Sequence, residues 1–350
     1  MLEIEKIMAH ARDMEASDIH LTEEERVMYR VDGSLIEPQH IASSSVSELI
    51  CSIIPQEMEE QFQRFIEDLD FAYQAESGER YRVNIFHQRG RKAATIRLLN
   101  DYIPSLSQLG LPTILEELIC EPRGLILVTG PTGSGKSTTL AAMIDKINEE
   151  RAEHILTIED PVEYIYEKKK ALIHQREVGR DVKSFAQALR SGLREDPDVI
   201  LVGEMRDYET IQAALTAAET GHLVLSTLHT SGAAQTIDRM VDAAPPEIQS
   251  QMRTQIAGVL KGIITQCLIK RAAGNGRIVA TEILIGTDAI LNMIRENKCY
   301  QLSTIMQSGG AKGMHTLNGD LVRLVSERMI HREDAFRYSS NIKELEQLLF

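Results

Sequence analysis

Residues 124–142 read GLILVTGPTGSGKSTTLAA, and this stretch decides the fold. The apolar run Leu125–Val128 is bounded by turn residues, which predicts a short buried strand. It leads into Gly130–Ser137, a complete G-x4-G-K-[ST] phosphate-binding loop, and the pattern predicts a helix that begins near Ser137. A strand, a glycine-rich loop and a helix in this order predict a binding site for a nucleoside triphosphate.

Each residue type in this loop suits a phosphate ligand. The glycine-rich backbone can turn its N–H groups toward phosphate oxygens, and the helix start adds the positive end of its dipole. We expect Lys136 to reach the β- and γ-phosphates and the Ser137 hydroxyl to take a Mg²⁺ coordination position. The residues predicted to bind the nucleotide are Thr132, Gly133, Ser134, Gly135, Lys136, Ser137 and Thr138.

Composition and charge narrow the class of protein. A chain of 350 residues with 43% hydrophobic content favours two domains, and the net charge of −14 argues against a motor that tracks nucleic acid. The four cysteines form no C-x-x-C pair, which indicates buried thiols in a reducing cytosol rather than a zinc site. The acidic N-terminus predicts no signal peptide, and no apolar run approaches the roughly 18 residues of a membrane span. Any membrane contact is therefore expected through a partner.

The predicted elements divide the chain into four segments. Residues 1–100 mix helices, near 3–15, 43–54 and 56–67, with short strands and an Asp32-Gly33 hairpin turn, which predicts a small α+β domain. Prolines interrupt the pattern in residues 101–122, a predicted linker with a connecting helix. Strands then alternate with helices over residues 123–286, as in a parallel α/β sheet. Residues 287–350 have a purely helical pattern.

An acidic cluster follows the first predicted strand after the loop. Glu159, Asp160 and Glu163 come directly after the apolar run that ends at Ile158. Three carboxylates so close would repel one another unless a cation or water shares them. In open α/β sheets ligands bind at this edge of the strands, so Glu159 and Asp160 are predicted to contact the metal through water. A solvated acidic turn is the alternative.

Two further predicted strands end in polar residues. Gly203 takes the place where the second strand of such sites usually carries a metal-binding Asp, and Glu204 follows it. The glycine indicates a close backbone approach, and the Glu204 carboxylate is placed to polarise the attacking water. His229 follows the third strand at the same edge, so we predict that it senses the γ-phosphate. For His222, a structural and a catalytic role are about equally favoured.

Four motifs together resemble the secretion-superfamily ATPases. They are the Walker A motif GPTGSGKSTT (130–139), the Asp box ILTIEDPVE (155–163), the Walker B motif LREDPDVILVGEMRD (193–207) and the His box TAAETGHLVLSTLHT (216–230). Within this superfamily the chain is similar to the retraction ATPases of type IV pili, and the likeness covers nearly its whole length. The resemblance implies a PAS-like α+β domain, a RecA-like P-loop NTPase core of the α/β class and a helical C-terminal tail.

The resemblance also implies ligands and roles. The ligands are ATP and Mg²⁺, with Ser137 on the metal. Glu163 of the Asp box and Glu204 of the Walker B motif become the candidate catalytic carboxylates, and His229 is the His-box residue. Arg82 and Arg97 match family arginines that reach the nucleotide of a neighbouring subunit. Judged from the residues alone, Arg80 and Arg82 share one face of a strand and predict only a charged solvent face.

The implied function is a homo-hexameric motor that hydrolyses ATP to power pilus retraction and twitching motility. It would be cytoplasmic, peripheral at the inner face of the membrane, and would act on an integral inner-membrane platform protein of the pilus machine. Leu291 and Met293 depart from the family helix that retraction needs, which favours a specialised paralogue as one alternative.

Other classes of motor remain open. A pilus assembly or type II secretion ATPase is the next alternative, although the chain lacks their four-cysteine motif and we expect no extra N-terminal domain. A ring DNA translocase is disfavoured by the acidic charge. A regulatory ring without turnover is disfavoured by the intact carboxylates.

Overall fold

The structure is a computed structural model, and it describes residues 2–31, 33–38, 45–56, 58–59, 62, 67–99, 102–274 and 276–349. Contacts divide the chain into two units. The first unit is Met1–Tyr102 together with Pro161–Ile165, and the second is Ile103–Asp160 with Tyr166–Phe350. The segment boundaries at 100, 122 and 286 stay predictions, whereas the return of Pro161–Ile165 to the first unit has no counterpart in the sequence analysis.

The first unit places two described helices against one sheet. Its elements are α1 (Glu3–Asp13), β1 (Asp18–Thr22), β2 (Met28–Val31), β3 (Ser34–Ile36), α2 (Val46–Cys51), β4 (Leu69–Gln74), β5 (Arg80–Gln88) and β6 (Arg91–Leu98). The strands are antiparallel in the order β3-β2-β1-β6-β5-β4. Alternation along β5 buries every second residue from Tyr81 to Ile85, which is the pattern of a strand with one face on the core.

The core of the first unit follows from helical spacing in α1. Ile4, Ile7, Met8 and Ala11 are buried, because residues three and four apart lie on one face of a helix. The predicted helix near 43–54 corresponds to α2, while most of the one predicted at 56–67 and Asp32 of the predicted hairpin turn lie outside the described residues. The PAS-like character of this unit stays a prediction.

The second unit alternates strands and helices and then becomes helical. Its elements are α3 (Ile114–Leu118), β7 (Gly124–Thr129), α4 (Lys136–Glu150), β8 (His154–Glu159), β9 (Leu172–Glu177), α5 (Phe185–Gly192), β10 (Val199–Val202), α6 (Tyr208–Glu219), β11 (Leu223–Leu228), α7 (Ala233–Asp242), α8 (Gln249–Val259), β12 (Leu260–Lys270), β13 (Arg277–Ile285), α9 (Asp288–Arg295), α10 (Leu302–Ser308), α11 (Leu317–Ser326), α12 (Arg332–Tyr338) and α13 (Ile342–Leu349).

The strands of the second unit form one sheet in the order β13-β12-β7-β11-β10-β8-β9. All neighbours are parallel except the β12–β13 pair at one edge. Every residue of β7, β10 and β11 is buried, because helices cover both faces of such a sheet. The carboxyl ends of β7, β11, β10 and β8 meet at one edge, where the predicted site residues follow the strands.

The C-terminal helices pack on the β12–β13 hairpin. Their apolar residues form a second cluster with Cys267 and Ile269 of β12 and Ala280 of β13. The predicted α/β fold class and the helical C-terminal region are confirmed. Within the described ranges, no helix has the length and apolar content needed to cross a bilayer.

Candidate functional site

The predicted phosphate loop joins β7 to α4, which begins at Lys136, one residue before the predicted start. Gly130 needs to be glycine, because its φ is +142° and an added Cβ would lie 2.3 Å from the Gln266 carbonyl oxygen. Gly135 has a φ of +88° and is the N-cap of α4, with no side chain capping the helix. The loop therefore brings backbone N–H groups to an uncapped helix start, which is a typical anion site.

Lys136 points back over this loop. Only 8% of the residue is exposed, and its Nζ donates hydrogen bonds to the carbonyls of Gly130 (2.9 Å) and Pro131 (3.0 Å). These two hydrogen bonds hold the ammonium group of Lys136 inside the curve of the loop. This is the position that a lysine needs to contact phosphates bound by the loop.

The residues present fit a triphosphate. The Ser134 hydroxyl is buried and has no hydrogen-bond partner among the described residues, so a polar ligand would satisfy it. Thr132, Gly133 and Ser137 are exposed, and Thr138 is half-buried in the first turn of α4. A ligand can therefore reach Thr132, Gly133, Ser137 and part of Thr138 from solvent.

The acidic residues Glu159 and Asp160 at the end of β8 fit a shared Mg²⁺ site rather than a closed one. Glu159 is buried at the end of β8, where its carboxylate accepts a hydrogen bond from Thr157 (2.7 Å). Asp160, the next residue, is exposed. The part of the chain that the structure describes has no group of three or more His, Cys, Asp or Glu side chains placed to hold a metal. Mg²⁺ commonly binds one or two protein groups plus substrate phosphates, which matches this arrangement.

Gly203 allows the end of β10 to approach β8. Its N–H donates to the Ile158 carbonyl (2.8 Å), and an added Cβ would lie 3.3 Å from that oxygen. On the other side, the Thr227 hydroxyl of β11 donates to the Gly203 carbonyl (2.7 Å). The close backbone approach predicted for Gly203 is therefore present, and it fixes the turn that carries Glu204.

Glu204 and His229 meet at the carboxyl edge of the sheet. The Glu204 carboxylate lies 3.6 Å from Nε2 of His229 and forms an ion pair with Nε of Arg206 at 2.6 Å. Burial and the nearby positive charge of Lys136 lower the pKa of His229, and the attraction of Glu204 only partly opposes them. His229 is therefore neutral at pH 7 and can donate or accept one hydrogen bond at each ring nitrogen.

The other predicted histidine has a structural role. His222 precedes β11 at the opposite end of the strand from His229, and its Nδ1 donates to the Ala217 carbonyl of α6 (2.9 Å). This bond satisfies a carbonyl at the end of a helix. The structure therefore assigns His222 to the end of α6 and not to the site.

Glu163 belongs to the first unit. The Arg80 guanidinium donates to the backbone carbonyls of Val162 (2.6 Å) and Glu163 (2.8 Å), so this arginine anchors the returning segment. The sequence predicts only a charged solvent face for Arg80, so this anchoring role is new. A catalytic role for Glu163 stays a prediction.

Arg82 and Arg97 each have an acidic partner within the first unit. Arg82 donates to both carboxylate oxygens of Asp70, and Nε of Arg97 donates to Oδ1 of Asp18 at 2.9 Å. Burial raises the pKa of Asp18, but the hydrogen bonds from Arg97 and Ser17 outweigh it and lower that pKa overall. Both guanidinium groups remain partly exposed, and their predicted action on a neighbouring subunit stays a prediction.

Gln266 of β12 contacts the phosphate loop, and the sequence pattern does not predict this contact. The side-chain amide of Gln266 is buried and forms hydrogen bonds with the Ser134 carbonyl and the Thr139 hydroxyl. No local signal marks it, because the partners lie more than 120 residues away in the chain. Only the pairing of β12 with β7 brings them together.

The parallel sheet, the buried lysine and the open helix start define the second unit as the core of a P-loop nucleoside triphosphatase. The family model described as Type II/IV secretion system protein matches residues 2–346. The chain therefore belongs to the Type II/IV secretion system protein family.

Named relatives and a solved structure support the same conclusion. The chain is 47% identical over 336 residues to the "Type IV pilus retractation ATPase PilT" of Pseudomonas aeruginosa, covering 95% of this chain and 97% of the relative. It is 46% identical over 320 residues to the "Twitching motility protein" of Neisseria gonorrhoeae, covering 91% and 85%. A crystal structure of the pilus retraction motor PilT with bound ADP superposes with a TM-score of 0.91 at 46% identity, covering 99% of this chain and all of that one. The predicted ATPase family is confirmed.

Proposed function

We propose that this chain hydrolyses ATP and that the hydrolysis powers retraction of type IV pili. The proposal of ATP hydrolysis rests on one observation: Glu204 and His229 meet at the sheet edge, beside the loop that contains Lys136. The relatives named for retraction and twitching support the biological part.

In this proposal, different residues of the second unit bind the phosphates, hold the metal and orient the attacking water. The loop N–H groups and Lys136 bind the β- and γ-phosphates. The Ser137 hydroxyl would hold Mg²⁺, and Glu159 and Asp160 would contact it through water. When bound, Mg²⁺ neutralises charge that develops on the phosphates. Glu204 accepts the hydrogen bond of the attacking water and orients it in line with the γ-phosphate. Neutral His229, 3.6 Å from Glu204, relays the presence of the γ-phosphate to that carboxylate.

The Arg206–Glu204 ion pair affects this step. A guanidinium 2.6 Å from the carboxylate restricts its orientation, and Arg206 itself is largely exposed. To accept a hydrogen bond from the attacking water, Glu204 must break its ion pair with Arg206 or use its other carboxylate oxygen. We therefore expect the pair to loosen when ATP binds.

The proposed assembly is a homo-hexamer in which Arg82 and Arg97 reach the nucleotide of the next subunit. Such an arginine supplies positive charge in the transition state, so each active site is complete only between two chains. The motion would be passed to an integral inner-membrane platform protein. In this proposal the ring is cytoplasmic and touches the membrane only through that partner, with no nucleic acid involved.

The test is deletion of the gene in a piliated host. Retraction predicts excess surface pili and loss of twitching, restored by the wild-type chain but not by Lys136→Ala. Bald cells would indicate an assembly motor instead. Unchanged pili, or turnover of the purified chain that rises with added DNA, would contradict the proposal.

A further inference from the structure

The side chain of Gln266 lies against the phosphate loop at the centre of β12. Only 2% of the residue is exposed. Its Nε2 donates to the Ser134 carbonyl at 2.7 Å, and its Oε1 accepts from the Thr139 hydroxyl at 2.9 Å. Ser134 precedes Lys136 in the loop, and Thr139 follows it in the first turn of α4. The Gln266 amide therefore links a residue that precedes Lys136 in the chain to one that follows it.

The two bonds fix which way the amide faces. The Ser134 carbonyl can only accept a hydrogen bond, so it must face the NH₂ group of Gln266. The Thr139 hydroxyl donates to the other end of the amide. No side chain of the same length without both a donor and an acceptor can make both bonds.

The backbone beside this amide is packed equally closely. An added Cβ on Gly130 would lie 2.3 Å from the Gln266 carbonyl oxygen, and one on Gly135 would lie 3.2 Å from its Nε2. Strand β12 thus touches the loop at its first glycine and again at the N-cap of α4. The shape of the loop depends on this strand as well as on its own glycines.

We propose that Gln266 is a positioning residue of the nucleotide site. It holds the Ser134 carbonyl and the first turn of α4 at a fixed separation, so that the loop N–H groups and Lys136 converge on the phosphates. The proposal rests on the proposed binding of ATP by this loop.

The test is Gln266→Glu in the full chain, which keeps the length and replaces the NH₂ donor by an ionisable carboxyl oxygen. The ionised carboxylate still accepts from Thr139 but faces the Ser134 carbonyl without a proton, so the loop is pushed open. Burial raises the pKa of a carboxylate, and protonation restores the donor. Relative to wild type, we expect a fluorescent ADP analogue with Mg²⁺ to bind about tenfold more weakly at about pH 8, the scale of one lost buried hydrogen bond. This ratio should approach one at about pH 6.

A matched control and a second variant complete the experiment. The control is Gln255→Glu on α8, which makes the same change of side chain away from the loop. Nε2 of Gln255 lies 3.3 Å from the Glu219 carboxylate. The ratio of nucleotide binding by this variant to that of wild type should stay near one at both pH values. Gln266→Asn keeps donor and acceptor but is one methylene short, so binding should weaken equally at both pH values. Gln266→Asn therefore tests the positioning role even if Gln266→Glu does not fold.

Three results would separate the hypotheses. If the wild-type chain binds no nucleotide, the proposed function is wrong. If wild type binds but both Gln266 variants bind as tightly at both pH values, the positioning role is wrong. If Gln266→Glu lowers the urea midpoint while its binding ratio stays near one at both pH values, Gln266 contributes only to folding and the proposal is again overturned.

Discussion

Replacing Arg97 by alanine separates a structural role from action on a neighbouring subunit. In the free chain its Nε lies 2.9 Å from Asp18, whose side chain is 10% exposed, whereas the arginine side chain is 59% exposed. A hydrogen bond to a charged group contributes about 1.5–3 kcal/mol, and solvent screening of the exposed guanidinium favours the low end. Ser17 continues to donate to Asp18. We therefore expect Arg97→Ala to lower the free energy of unfolding by about 1–1.5 kcal/mol.

The effect on hydrolysis should be much larger. An essential arginine supplied in trans is worth about 10³-fold in turnover, equivalent to roughly 4 kcal/mol of transition-state stabilisation. A protein of ordinary stability, about 5–15 kcal/mol, stays folded after the structural loss, so unfolding cannot explain such a fall. The assay is steady-state ATP hydrolysis with nucleotide binding measured on the same sample. Arg91→Ala is the control, because Arg91 lies on the same strand and pairs with Glu24.

Mixing tests whether the arginine acts between subunits. Arg97→Ala subunits have an intact phosphate loop, and Lys136→Ala subunits have an intact arginine. A mixed ring contains some sites with both, so activity should exceed that of either parent. If Arg97→Ala behaves like the Arg91→Ala control, or if mixing restores nothing although subunits exchange, the ion pair with Asp18 is the whole role of Arg97.

Three further changes test the site and the fold. Lys136→Ala should abolish turnover with the fold intact by circular dichroism, because it removes the cation beside the loop; near-normal activity would mean that the loop is not the active site. Glu204→Gln should bind ATP but hydrolyse it at least about 10²-fold more slowly, whereas a normal Glu204→Gln with an inactive Glu163→Gln would move the base to the Asp box. Burial lowers the pKa of His315, so the unfolded chain binds more protons and wild-type stability should fall between about pH 7 and pH 5. Urea midpoints of His315→Asn should depend less on pH, and equal slopes would refute this assignment.

Local patterns predicted the nucleotide loop well because its geometry is encoded in consecutive residues. The glycines, the lysine and the helix start are all neighbours in the chain, and α4 begins within one residue of the prediction. The positions of Glu204 and His229 at this edge were also predicted, since each lies within two residues of the end of a buried strand. Parallel strands bring such positions to one edge without any further information.

Contacts between distant segments were not predictable from the sequence alone. Gln266 reaches the loop only because β12 pairs with β7, and nothing in its neighbourhood marks a buried amide. The pairing of Arg97 with Asp18 depends on the register between β6 and β1. The Arg206–Glu204 pair is local, but the spacing does not fix the direction of the exposed Arg206 side chain.

The anchoring of Glu163 by Arg80 has a consequence for how the protein can be divided. Because Pro161–Ile165 belongs to the first unit, the polypeptide passes from one unit to the other at three points, after Tyr102, after Asp160 and after Ile165. A protease cut at Tyr102 alone would leave residues 161–165 covalently attached to the second unit, and residues 1–102 would be held to them only by non-covalent contacts such as the Arg80 hydrogen bonds. A fragment ending at Tyr102 would lack the carbonyls that accept the Arg80 hydrogen bonds. The first unit is thus completed by a piece of chain that is synthesised only after the nucleotide loop, so it cannot reach its final form early during translation.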